Sequence, residues 1–178
     1  LEKVLGALRP LARRRLMVNT EGYARAGWHQ TAQELGLHSL DRPEAHGGQG
    51  FGFVELGIVL EEMGRVLLSA PYFSTVCLDA NAIMNAGSGD QQGQLLPGIA
   101  SGDTIATLAF TEPNGKWDAS GITMEAKGSG DAWTLAGTKM FVIDGHTANQ
   151  IVVVARQAGS HGEDGIAFFV VDGDANGL

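Results

Sequence analysis

Residues 101–113 read SGDTIATLAFTEP, and the spacing of apolar side chains changes inside this stretch. Toward the N-terminus, apolar residues recur every three or four positions; toward the C-terminus they alternate or cluster as β-branched runs. In residues 53–68, Leu56, Val59, Leu60, Met63 and Leu67 share one helical face. Glu61 and Arg65 stand four apart on the other side, where a weak ion pair is expected. Residues 23–35, with Ala24, Trp28, Ala32 and Leu35 at helical spacing, predict a helix that Gly36 stops. Residues 1–8 predict a helical turn or two before Pro10, and residues 41–52 (DRPEAHGGQGFG) predict a loop. A helix is expected to start at Pro71, with Ser69 as a cap, and to run toward Ala86. Residues 88–100 predict a shorter one that Pro97 disturbs or ends.

Beyond residue 103 the pattern belongs to strands: residues 104–110, 122–126, 133–135, 151–155 and 166–171, separated by turns such as GSGD and DG. Helices first and strands second give a segregated α+β chain. The boundary falls at Asp103, with a helical domain over 1–103 and a β domain over 104–178. No internal repeat or low-complexity tract interrupts either part.

The 178 residues carry a net charge of −8, and 44% are hydrophobic, enough for a real core. An acidic surface disfavours nucleic acid and anionic membranes, although a local pocket can still oppose the global sign. The 26 glycines follow no period and mark turns. A single cysteine, Cys77, allows no internal disulfide and suits a reducing, cytoplasmic setting; in its apolar stretch it reads as a small hydrophobe. No segment reaches the roughly 18 consecutive apolar residues of a membrane helix. The N-terminus, with Glu2 at its start and its basic residues after the apolar ones, does not read as a signal peptide. Lacking Met at one end and stopping soon after a strand at the other, the chain reads as interrupted at both ends.

Few segments carry chemistry by themselves. Glu61 and Glu62 are helix neighbours pointing about 100° apart, which rules out a compact acid/base dyad. His29, His38, His46, His146 and His161 show no metal-ligand spacing, and no G-x-S-x-G elbow exists. The GGQGFG run of residues 47–52 follows no strand and lacks the phosphate-loop pattern, so it reads as a turn between helices. In TEPNGKWD, residues 111–118, a strand delivers Thr111 into a turn whose backbone N–H groups, with Lys116, could meet a phosphate; most such turns are only turns.

The order of segments says more. WHQTAQELGLHSL, PEAHGGQGFG, LEEMGR, LPGIASGDTIATLAFTEP, GDAWTLAGTKMFVIDGHTANQIVVVAR and AFFVV follow one another as in acyl-CoA dehydrogenases, which the chain resembles over nearly its whole length. The resemblance implies an incomplete acyl-CoA dehydrogenase fold: part of an N-terminal helical bundle, then an antiparallel β-barrel or sandwich middle domain. A C-terminal helical domain, which in this family bears the catalytic Glu, is absent from these residues, so the fragment alone is expected to be inactive and no catalytic residue is assigned. It further implies FAD, an acyl-CoA substrate dehydrogenated between Cα and Cβ, an electron-transfer flavoprotein as acceptor, and a homo- or hetero-oligomer. By the same resemblance the cofactor-binding residues are Leu108, Phe110, Thr111, Trp117, Phe141 and Ile143. Phe110 and Thr111 lie near the isoalloxazine ring, Thr111 bonds its polar edge, and Phe141 packs against the other side. Two positions depart from the family: Trp117 stands where a phosphate-contacting serine is usual, and Ile143 where a Thr or Ser bonds near flavin N5. Those departures also fit a non-catalytic partner subunit of a heteromeric dehydrogenase. Leu67, Tyr72 and Phe73 are the residues here that could touch an acyl group, with core packing as their expected role, and short-chain and steroid-derived thioesters both stay open.

Overall fold

The structure is a computed structural model that describes residues 22–130 and 132–178. The helical turn expected in residues 1–8 lies outside the described residues. Contacts divide the chain into two units, Leu1–Ile105 and Ala106–Leu178.

In the first unit, helix α1 (Arg25–His29) widens into a π-type turn, Gln30–Glu34, rather than continuing as one α-helix. Gly36 ends it in the left-handed region at φ 64°, where a Cβ would come within 2.6 Å of Gln49 Nε2. Helix α2 (Phe53–Arg65) buries Leu56, Val59 and Met63 of the apolar stripe, with Leu60 half-buried; Leu67 does not join it, because the helix ends at Arg65 and Leu67 turns out at φ 50°, exposed. The Glu55 carboxylate accepts from the Gly52 backbone N–H at 2.9 Å and satisfies a donor at its start. On its outer face Arg65 pairs with Glu62 at 2.8 Å, not with Glu61 as the four-residue spacing suggested; three residues apart is equally close on a helix surface.

The segment from Pro71 begins as a π-type helix, Phe73–Asp79, and becomes helix α3 (Ala80–Ala86). Ser69 does not cap it, because its Oγ donates to the Gly22 carbonyl at 3.1 Å. Helix α4 (Gly89–Ser101) starts at a reciprocal cap: Ser88 Oγ accepts from Gln91 N, and Gln91 Oε1 accepts from Ser88 N. It continues through Pro97, which therefore does not end it. Pro97 is exposed, so the carbonyl it leaves unbonded one turn earlier faces water, and the fully buried Leu96 and Ile99 hold the following turn in place.

The second unit is one five-stranded sheet: β1 (Ala106–Ala109), β2 (Glu125–Ser129), β3 (Ala132–Leu135), β4 (Gln150–Gln157) and β5 (Ile166–Asp172). Helices precede strands, as expected for a partial acyl-CoA dehydrogenase fold. The sheet itself is open, and its pairings are mixed rather than all antiparallel. β5 runs antiparallel along β4 from Gln150 to Arg156, while β1 and β2 both pair parallel with β4. The connections 110–149 and 130–149 are long enough for the crossovers that parallel pairing needs. β4 is buried over Gln150–Arg156, which explains its unbroken apolar run IVVVA.

Candidate functional site

Strand β1 places a lone polar residue, Thr107, in an apolar run, and its fully buried hydroxyl donates to the Ile143 carbonyl at 2.6 Å. Four residues on, the Thr111 carbonyl accepts from the Met140 N–H at 2.8 Å. Residues 139–143 therefore run alongside β1 in the opposite direction. Phe110 and Thr111 are thereby brought together with Phe141 and Ile143, which stand far apart in sequence. Thr111 is 5% exposed, and its hydroxyl has no hydrogen-bond partner among the described residues. Phe141 is 82% and Ile143 45% exposed, so their apolar faces look into solvent. Leu108, in the middle of β1 opposite Val152, is half-buried.

The turn after Thr111 is tied by its own hydrogen bonds. The Asn114 carboxamide accepts from Lys116 N at 2.9 Å and donates to the Gly121 carbonyl at 2.7 Å; Asp118 accepts from Ser120 N at 2.8 Å. That framework presents Trp117, 81% exposed, edge-on to Phe110 with ring centres 6.0 Å apart. Lys116 reaches Ser120 Oγ at 3.3 Å and remains exposed.

Glu112, in sequence only part of a turn, is the most connected side chain here. Its carboxylate accepts from Lys139 Nζ at 2.7 Å, from Thr123 N at 2.9 Å, from Met124 N at 3.0 Å and from the Thr123 hydroxyl. Both members of the Glu112–Lys139 pair are buried, their side chains 3% and 7% exposed, and Lys139 also donates to the Phe110 carbonyl at 3.3 Å. Burial alone would push the Glu112 carboxyl up; the bonds from Lys139, Thr123 and Met124 outweigh it and hold it down to about 2. The signal for this pair, a Glu at a strand end and a Lys in a later turn, has no local periodicity and emerges only when residues 139–143 lie on β1.

Other candidates fall elsewhere. Tyr72 is core, its hydroxyl donating to the Leu37 carbonyl at 2.8 Å, whereas Leu67 and Phe73 are exposed. Burial pushes the Cys77 thiol up to about 11, an unreactive thiol. No three His, Cys, Asp or Glu side chains gather to hold a metal among the described residues. No helix among them is long and apolar enough to cross a membrane.

Residues 6–103 match the acyl-CoA dehydrogenase N-terminal domain and residues 107–178 the acyl-CoA dehydrogenase middle domain. The chain is 35% identical over 151 residues to acyl-CoA dehydrogenase FadE12 of Mycobacterium tuberculosis, an alignment covering 83% of this chain and 38% of that protein. It is 32% identical over 149 residues to a mitochondrial 2-methylacyl-CoA dehydrogenase of Solanum tuberosum, covering 82% and 36%. Among solved structures it resembles the ChsE4-ChsE5 complex from Mycobacterium tuberculosis, with a TM-score of 0.82 at 29% identity over 99% of this chain and 46% of that one. The Tcur3481-Tcur3483 steroid ACAD gives a TM-score of 0.82 at 28% identity, again over 99% and 46%. The chain thus spans less than half the length of each of these relatives. With two successive family domains matched along it, the chain belongs to the acyl-CoA dehydrogenase family.

Proposed function

We propose that this chain carries the flavin-facing surface of an FAD-dependent acyl-CoA dehydrogenase, with its domain boundary at Asp103. The observation that supports this reading is the antiparallel course of residues 139–143 along β1, which collects Phe110, Thr111, Phe141 and Ile143. FAD, when bound, supplies the acceptor for the hydride that leaves Cβ of an acyl-CoA thioester as Cα loses a proton. The chain's residues suit such a group: Phe141 and Ile143 offer a solvent-facing apolar surface to a planar ring, and the unpartnered Thr111 hydroxyl is available to a polar edge. Leu108 and Phe110 support that surface from β1 and its end. Trp117 and Lys116, on the hydrogen-bonded turn beside Phe110, extend it toward the remainder of the cofactor. Electrons then pass to an electron-transfer flavoprotein, and the protein works as an oligomer.

A second reading is a partner subunit that keeps the fold and completes another subunit's site. It draws on Ile143, whose side chain cannot form a hydrogen bond to the ring, and on Trp117, a large ring on a phosphate-facing turn. The similarity to a steroid dehydrogenase and to a complex, each named for two proteins, also favours it.

The visible absorption spectrum of the complete protein separates the two. Flavin bands from the protein purified alone support the first reading. A colourless protein that acquires flavin only with a co-purifying partner supports the second. No flavin in either preparation defeats both.

A further inference from the structure

Phe141 and Asp144 adopt φ values of 54° and 55°, a left-handed backbone that a bulky residue such as Phe rarely enters. The core gains nothing from this at Phe141, which is 82% exposed. A loop free to relax would leave that region, so neighbouring contacts must hold it there. Those contacts lie on both sides of Phe141. Before it, Lys139 is anchored to Glu112 and to the Phe110 carbonyl, and Met140 N–H bonds the Thr111 carbonyl. After it, the Thr107 hydroxyl takes the Ile143 carbonyl, and Gly145 N–H bonds the Val142 carbonyl at 3.2 Å. A buried Lys–Glu pair is a poor source of stability compared with apolar residues of the same size, and its best-attested use is to fix one arrangement of the chain.

We propose that the Glu112–Lys139 pair is a positioning device: it locks residues 139–143 onto β1 so that Phe141 is turned outward onto the flavin ring. This rests on the proposed flavin surface. Lys139 and Glu112 need not touch the ring; they act through Phe141. Thr107 is the second anchor of the same segment.

The test uses the complete protein with its flavin, comparing wild type with Lys139→Met, Lys139→Arg, Thr107→Val, Phe141→Leu and the double variant Lys139→Met/Phe141→Leu. Amide hydrogen exchange reads the segment, and flavin fluorescence titration reads the ring. In Lys139→Met the Met140 amide is expected to exchange about tenfold faster, with the β4–β5 amides unchanged, and flavin affinity to fall about tenfold. Lys139→Arg should recover part of both, and the double variant should bind no more weakly than Phe141→Leu. Should Lys139→Met fail to fold, Thr107→Val is expected to show the same pair of changes. An unaltered Met140 amide overturns the proposal. So does faster exchange with unchanged flavin affinity, which makes the pair purely structural, or a double variant weakened by the sum of both singles, which means that Lys139 acts on flavin binding by a route other than Phe141; both leave the flavin surface intact. Wild-type protein that binds no flavin defeats the underlying reading, and is recognised before any variant is compared.

Discussion

Lowering the pH from 7 to 5 should destabilise the helical unit through one residue, His38. Its ring is fully buried, 4.0 Å from the Trp28 ring centre, and Nε2 lies 3.0 Å from the Thr31 hydroxyl. The single proton of that hydroxyl goes to the Trp28 carbonyl at 2.8 Å, so His38 must donate through Nε2 and is neutral. The neutral ring leaves Nδ1 buried without a hydrogen-bond partner, and a second proton would sit there. Burial, and then the Arg42 charge, push His38 from 6.5 down to about 3; a hydrogen bond of the charged ring to the Ile99 backbone opposes them without reversing the shift. Between those values the unfolded chain binds a proton that the folded one refuses, so stability rises with pH and is lost as pH falls through 6.5. The loss from this group is about 2 kcal/mol at pH 5 and about 3 kcal/mol at pH 4. Urea unfolding at pH 7, 6 and 5 should show it, with a non-titrating His38→Gln variant as reference. That variant starts less stable but should decline less steeply. Wild type and variant falling in parallel from pH 7 to 5 would show that His38 titrates normally, and the reasoning about its burial would be wrong.

Gly102 sits at φ 80°, where a Cβ would lie 2.7 Å from that of Ala32, so Gly102→Ala should destabilise by at least about 1 kcal/mol in thermal melts. Trp28→Phe removes the buried bond from Nε1 to the Gly102 carbonyl at 2.8 Å and is expected to cost about 2 kcal/mol in chemical denaturation. Trp117→Ala, at an 81% exposed position, should change stability by less than about 0.5 kcal/mol while weakening flavin binding in a fluorescence titration. Ile143→Thr supplies a hydroxyl on the proposed ring face and should tighten flavin binding about fivefold, measured the same way.

Much of the fold was legible because burial imposes a period. The stripe of Leu56, Val59 and Met63 and the run IVVVA lie where their spacing put them. Local signals failed where tertiary packing overrode them. Pro97 did not end its helix because Leu96 and Ile99 are buried on either side of it, and Ser69 found a carbonyl in place of a helix terminus. Pairing direction in the sheet was illegible, since a strand's alternation says which face is buried and nothing about its neighbour's direction. At the site, the ring-facing roles of Phe141 and Thr111 come from resemblance alone. The contacts that join them, Thr107 to Ile143 and Glu112 to Lys139, span 36 and 27 residues and have no local pattern to betray them.

Glu112 also bears on how the proposed chemistry is divided. It follows directly on Phe110 and Thr111, so its fitness to take the Cα proton can be judged from its surroundings. A general base works best with a pKa near the operating pH and with a free lone pair aimed at the substrate. Glu112 meets neither condition: four donors occupy it, and its carboxyl is held down to about 2. Asp118, on the adjacent turn, is also held down, first by its bonds to Ser120. A carboxylate so depressed is a strong acceptor of hydrogen bonds and a poor acceptor of protons at neutral pH. In the proposed reaction, then, Glu112 fixes the backbone that presents the ring surface, and proton abstraction belongs to a different group.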